Sequence, residues 1–247
     1  MEIDLKNEWE KDYVGKFKKS WQRTKKAYLE TDILIGNSKL SKKYCEKWIN
    51  KKTQGVIFPG FDINFIDKNN KIKKQNQIIY IGRLSKFKNV DEIIMALSKI
   101  NNPPKLIIVG DGEEKENLIK LSLELNVNVD FLGRQNDYEK INEIKKSILM
   151  VFPSSHEGFG MPPMEAIYCG VPCICSDKDI FKEVYENNVT YFKEHDIEDF
   201  VDKIKYILLM YKNGKLDLKN QIDFVKKYSW KKSAKDLEII LSNYLKK

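Results

Sequence analysis

Between Leu149 and Asp177 the chain reads LMVFPSSHEGFGMPPMEAIYCGVPCICSD, and no other stretch restricts its fold as tightly. Leu149 to Phe152 is apolar without alternation, which requires cover on both faces and so implies a strand inside a parallel sheet. A loop from Pro153 to Met161 follows, in which Gly158 and Gly160 can take positive φ or let a ligand approach the backbone. Pro162 and Pro163 suit the first turn of a helix, where a missing N–H costs nothing, and the helix continues through Met164, Glu165 and Ala166. Free N–H groups at that helix start are expected to make an anion site, with Glu157 in the loop and Glu165 in the first turn on either side of it. Such a site fits an anionic ligand that carries hydroxyls.

The flanking sequence repeats the same grammar. From Gln77 the chain alternates strand-like runs (IIYIG, KLIIVG, VDFLG) with helical segments reaching to about Ile100, Leu125 and Ser147, and two more strands follow at 173–176 and 189–192. That alternation implies an α/β fold, a doubly wound, Rossmann-like parallel sheet. Ligands of such sheets bind beyond the carboxyl ends of the strands. Gly82-Arg83, Gly110-Asp111-Gly112, Gly133-Arg134, Ser154 to Gly160 and Ser176-Asp177 all fall on that rim. Gly110-Asp111-Gly112 alone signals no more than a tight turn. Three helices, at about 196–212, 218–228 and 231–245, close the chain.

Ahead of the sheet lies an incomplete N-terminal α/β segment. Leu5, Trp9, Tyr13, Phe17 and Trp21 recur every fourth residue and predict an amphipathic helix ending near Glu30. Its second half, KFKKSWQRTKK, carries only positive charge, which suits an interfacial helix on anionic lipid. The acidic first half favours the other reading, in which the aromatic stripe packs on protein and the lysines are solvated. Asp32 to Ser38 is expected as a short buried strand, 39–50 as a helix and 56–58 as a second strand. The turn-rich, polar stretch 59–77 reads as a linker.

At 247 residues the chain is long for one domain and short for two. Its formal charge of +8 invites a nucleic-acid partner, but the lysines are scattered among Asn and Ile, so no nucleic-acid surface is expected. No apolar run reaches bilayer length and MEIDLKNEWEK lacks a signal peptide's apolar segment, so a cytoplasmic protein is expected, with peripheral membrane contact as the only lipid association. Cys45, Cys169, Cys173 and Cys175 lack zinc spacing and read as small buried thiols. His156, beside Glu157, is a weak acid/base candidate, and His195 reads as a surface loop residue.

Glu157 and Glu165, separated by seven residues within HEGFGMPPMEAIYCGVP, resemble the signature of the retaining glycosyltransferases of family four, whose fold is the two-domain GT-B. IGRLSKFKN at 81–89, VGDG at 109–112 and FLGR at 131–134 agree with that family, and the resemblance spans roughly residues 30–247. It implies that Arg83 and Lys88, after the Gly82 turn, clamp the departing diphosphate of a nucleotide diphosphate sugar. Removing one such preorganised donor raises a barrier by about 3 to 4 kcal/mol. It further implies that Glu165 accepts from ribose hydroxyls, that Glu157 contacts the donor sugar, and that the backbone of Phe159, Gly160 and Met161 holds sugar and phosphate. Gly110 and Gly112 would line the same site, and Gly133 and Arg134 would lie near the nucleobase. Glu157, Arg83 and Lys88 are the implied catalytic set, with no metal and no cofactor. Paired carboxylates also serve glycosidases, but a basic phosphate site on the same rim argues against that chemistry.

The resemblance also implies a partition: 1–58 as the remnant of an N-terminal acceptor domain, 59–77 as linker, 78–230 as the nucleotide-sugar-binding domain, and 231–247 as a helix crossing back. No histidine precedes His156, and too little sequence is available to build a full acceptor domain. The expected function is therefore the donor-binding portion of an enzyme that moves a hexose to a glycan or lipid-linked acceptor, with a separate N-terminal lobe or a homo-oligomer completing it. The alternative is a non-catalytic nucleotide-sugar-binding module or interaction protein.

Overall fold

The computed structural model describes residues 15–62, 66 and 72–246. Its body is a six-stranded parallel sheet: β3 (Gln77–Ile81), β4 (Lys105–Val109), β5 (Val129–Gly133), β6 (Leu149–Phe152), β7 (Cys173–Ser176) and β8 (Thr190–Phe192). The order is β5-β4-β3-β6-β7-β8, with every neighbouring pair parallel. Strand order therefore reverses between β3 and β6, and a doubly wound sheet opens its ligand crevice at that point. Both strands at the switch are buried throughout, as the apolar runs Ile78 to Ile81 and Leu149 to Phe152 require. At the β5 edge Leu132 is exposed and its neighbours are half-buried.

Helices α3 (Val90–Ser98), α4 (Lys115–Glu124), α5 (Asp137–Lys146), α6 (Pro162–Tyr168), α7 (Asp179–Tyr185), α8 (Ile197–Lys212), α9 (Lys219–Val225) and α10 (Trp230–Leu245) connect and follow the strands. Their ends are chemically marked. Asn136 and Glu139 form a capping box at the start of α5, and Asp196 and Ser229 cap α8 and α10 with their side chains. Asn50, Asn89, Asn102 and Asn126 all adopt left-handed φ, so part of the asparagine content terminates or links helices where β-branched residues would be strained. Aromatic rings tie the layers together: Tyr80 stacks on Phe152 with centroids 6.0 Å apart, and Phe152 meets Phe181 edge-on at 5.6 Å.

The N-terminal segment comprises α1 (Gly15–Glu30), β1 (Ile35–Gly36), α2 (Lys39–Ile49) and β2 (Gly55–Val56), with β1 and β2 paired in parallel. The helix ends at Glu30 as its periodicity predicts. The stripe positions Leu5, Trp9, Tyr13, Phe17 and Trp21 lie outside the residues whose side chains are described. The strand expected over 32–38 is a correction: it shrinks to two half-buried residues, because it pairs with β2 over two positions only. This segment is fastened to the main body by polar contacts at several points. The Lys39 and Leu40 amides donate to the two oxygens of Glu183 on α7, at 2.6 and 2.8 Å, placing a carboxylate on the N-terminus of α2. Ser233 on α10 donates to the Phe58 carbonyl at 2.6 Å, and a Cβ at Gly55 would meet Ile240.

The cysteines are all free. Cys173 and Cys175 are buried as expected, but Cys45, on α2, and Cys169, at the end of α6, are half-buried.

Candidate functional site

The rim beyond the strand ends is laced by backbone. Gly82 donates to the Val109 carbonyl at 3.0 Å, Gly110 to the Gly133 carbonyl at 2.8 Å, and Leu84 to the Asp111 carbonyl at 3.0 Å. These bonds leave no room for side chains at the crossing. Gly110 has φ +142° and a Cβ there would lie 1.9 Å from the Gly82 oxygen, while a Cβ on Gly112 would lie 2.2 Å from the Leu84 oxygen. The turn after β3 then passes through a short 3-10 segment, Lys86–Lys88, and Asn89 starts α3. Asn89 ties that turn to the loop after β6, donating to the Pro153 carbonyl at 3.1 Å and to Ser155 Oγ at 2.7 Å. Ser155 N–H returns a bond to the Phe87 carbonyl.

This lacing brings Lys88 and Glu157 together across the switch point. Lys88 Nζ lies 2.5 Å from Glu157 Oε1, with the two side chains only 13% and 15% exposed, and donates further to the His156 carbonyl at 3.3 Å. Arg83 is placed differently: its guanidinium is solvent-exposed and bonds Glu113 through Nε and Nη2, at 3.3 and 3.1 Å. The Arg83 carbonyl is fixed by the buried Tyr80 hydroxyl at 3.1 Å. Arg134 is exposed at the β5 edge, beyond Gly133 with φ +67°.

Glu165 is held by a residue the sequence does not point to. Lys140 on α5 donates to its Oε1 at 2.8 Å and pairs with Asp137 at 3.0 Å. Both members are mostly buried, Lys140 18% and Glu165 14% exposed. Burial pushes the Glu165 carboxyl above its ordinary range, and the adjacent Lys140 charge opposes that rise.

The loop between the two carboxylates is rigid at one point. Gly160 has φ +84°, a Cβ there would meet Phe181 at 2.8 Å, and its carbonyl accepts from the buried Tyr185 hydroxyl. Gly158 abuts Asn37 of the N-terminal segment. The Phe159 side chain points away from the rim, buried between Phe58 and Tyr228 at 5.9 and 5.6 Å, so Phe159 can serve a ligand only through its backbone. The helix-start anion site needs correcting. Pro162 and Pro163 occupy the first two helical positions and have no N–H, and Met164 and Glu165 already donate to the Met161 carbonyl at 2.9 and 3.3 Å. The N–H groups of Phe159, Gly160 and Met161, just before the helix, donate to no backbone carbonyl.

His156 lies edge-on to Phe87 at 6.3 Å, and its carbonyl receives the bonds of both Lys88 and Ser154. His195, expected as a plain surface residue, is exposed but engages the buried Glu92 at 2.5 Å, and burial raises the Glu92 carboxyl against the pull of that imidazole. Next to it, Glu194 pairs with Lys178. No helix among the described residues is long and apolar enough to cross a membrane.

A parallel sheet with this strand order belongs to the doubly wound α/β class, and the Lys88–Glu157 pair lies at its switch point, where such sheets open a ligand crevice. The description "Glycosyl transferases group 1" matches residues 62–222, and the chain belongs to that family. An uncharacterised glycosyltransferase of Methanocaldococcus jannaschii is 30% identical over 94% of this chain and 64% of its own length. The O-antigen chain mannosyltransferase RfbU of Salmonella typhimurium is 32% identical over 59% of this chain and 42% of its own. The chain thus spans less than two thirds of these relatives. Among solved structures, sucrose-phosphate synthase of Thermosynechococcus elongatus superposes with a TM-score of 0.79 at 20% identity, covering 95% of this chain and 64% of that one. HepE of Anabaena, solved with UDP and glucose, gives 0.74 at 20% identity over 86% and 63%. These likenesses confirm the GT-B type of fold.

Proposed function

We propose that this chain is the donor-binding part of a retaining glycosyltransferase that moves a hexose from a nucleoside diphosphate sugar to a glycan or lipid-linked acceptor. The observation that carries the reading is the Lys88–Glu157 pair at the switch point, with a second buried carboxylate, Glu165, one loop and half a helix away. As the bond from the anomeric carbon to the diphosphate oxygen breaks, its electron pair stays on that oxygen, and Lys88 with Arg83 neutralises the growing charge. Lys88 exchanges Glu157 for phosphate in that state, and the freed Glu157 carboxylate accepts from hydroxyls of the sugar. The acceptor hydroxyl attacks the same face of the anomeric carbon and passes its proton to the leaving diphosphate. Neither a metal nor another cofactor is called for, because the cations are built into the turn after β3.

The acceptor side is supplied by an additional lobe seated against the N-terminal segment and α10. Trp230, Leu237, Ile239 and Leu241 leave α10 with exposed apolar surface that supports such a cover. HepE was solved with UDP and glucose, which supports UDP as the first nucleotide to try. The test is calorimetric titration with UDP, GDP and their sugar conjugates, for the wild type and for Lys88→Ala and Glu165→Ala. One nucleotide should bind and both substitutions should weaken it by about tenfold or more. Absence of binding at millimolar concentration, or binding indifferent to both substitutions, would sink the reading.

A further inference from the structure

Lys140 stands in a position that the donor chemistry alone does not require. It reaches from the first turn of α5 to the first turn of α6 and bonds Glu165, a carboxylate 25 residues further along the chain. The reach is prepared: Asn136 and Glu139 cap α5 reciprocally, and Asp137, one turn back, holds the same ammonium at 3.0 Å. Mostly buried and without its counter-charge, Glu165 would be driven toward the neutral acid. A neutral carboxyl presents one acceptor and one donor, whereas a carboxylate accepts from two hydroxyls with charge-assisted strength. The ammonium engages Oε1 alone, so Oε2 keeps its lone pairs for a ligand.

We propose that Lys140 is a positioning residue that keeps Glu165 ionised and aimed at the rim, and that the pair selects ribose over 2′-deoxyribose in the bound nucleotide. The inference rests on the donor-site reading of Glu165. Other charged or titratable groups near the pair are Asp137, already bonded to Lys140, and the thiol of Cys169 at the end of α6, which Lys145 and Lys74 also approach. Among the described residues, Lys140 is the cation bonded to Glu165.

The experiment compares affinities for a ribonucleoside diphosphate and its 2′-deoxy analogue, UDP and dUDP or the guanine pair, whichever the wild type binds. The wild type should favour the ribonucleotide by about 10- to 100-fold, the range of a hydrogen bond to a charged group. Lys140→Met should bring that ratio within about threefold, while Lys140→Arg should retain most of it. A change in packing alone would weaken both nucleotides equally and leave the ratio intact, which would overturn the proposal. If Lys140→Met does not fold, the pair Glu165→Gln and Lys140→Met/Glu165→Gln replaces it, since neither buries a lone charge. The two should then bind UDP equally, and further loss in the double variant would overturn the proposal. A wild type that binds ribo- and deoxynucleotides alike overturns the role of Lys140 while leaving the donor site standing. A wild type that binds neither removes both.

Discussion

The Lys88–Glu157 pair can be tested as a folding element, independently of any substrate. Both side chains are about seven-eighths buried and 2.5 Å apart, and they join the turn after β3 to the loop after β6. Lys88→Met leaves the Glu157 carboxylate with no cation and little water, and breaking a buried pair in this way costs about 3 to 5 kcal/mol. The residual exposure lets some water in, so the loss should sit near the lower end, about 3 kcal/mol. Lys88→Met also forfeits the bond to the His156 carbonyl and the ammonium's 5.3 Å contact over the Phe87 ring, together about 1 kcal/mol. The total is about 4 kcal/mol, and in a domain of this size each kcal/mol moves the midpoint by about 2 to 4 °C, so a fall of about 8 to 16 °C is expected in a calorimetric melt. Lys88→Met/Glu157→Gln removes the orphaned charge and should recover all but about 1 kcal/mol of the loss. The two single changes and the double form a thermodynamic cycle, read by urea unfolding, with an expected coupling of at least about 3 kcal/mol. Additive losses would refute the reasoning, because they would mean the two charges are solvated separately and the switch point is open in solution.

Two further perturbations separate backbone from charge. Gly110→Ala places a Cβ against the Gly82 carbonyl at φ +142°, whereas Gly133→Ala at φ +67° meets open space. Urea midpoints should drop by the equivalent of more than about 2 kcal/mol for the first and about 1 kcal/mol for the second, and equal midpoints would contradict the close crossing of the two turns. Lys74, whose ammonium donates to the Ser147 carbonyl at 2.7 Å, is lowered by burial from 10.5 to about 8. Between those two values the unfolded chain binds more protons than the folded one, so this group's burden on the fold is complete below pH 8 and disappears above 10.5. Wild-type stability should accordingly gain on Lys74→Met as pH is raised through that window. Parallel curves for the two proteins would show that Lys74 is solvated.

What the sequence disclosed and what it withheld divide along one physical line. The strands of the main sheet were legible because burial on both faces writes an unbroken apolar run, and Leu149 to Phe152 is fully buried as that run demands. The glycines of the rim were legible because a turn that crosses another turn excludes Cβ, and the Gly82–Gly110 crossing bears this out. The charge partners were not legible. Glu113 lies 30 residues from Arg83, Lys140 lies 25 from Glu165, and Glu92 lies 103 from His195, and in each case the fold, not the local sequence, makes the pair. Phe159 shows the same limit from the apolar side. Set between two glycines it reads as part of the loop, yet its ring is taken by Phe58 and Tyr228, which approach from opposite ends of the chain. The prolines show a different limit: Pro162 and Pro163 mark the helix start in the sequence, and because they carry no N–H the same residues deprive that start of the donors an anion site needs. The donors that remain lie one to three residues earlier, where a flexible loop would not hold them in place. Tyr185 on the Gly160 carbonyl and Phe159 in the core supply that fixation, so the packing beneath the loop, not the helix end, determines whether an anion can be held there.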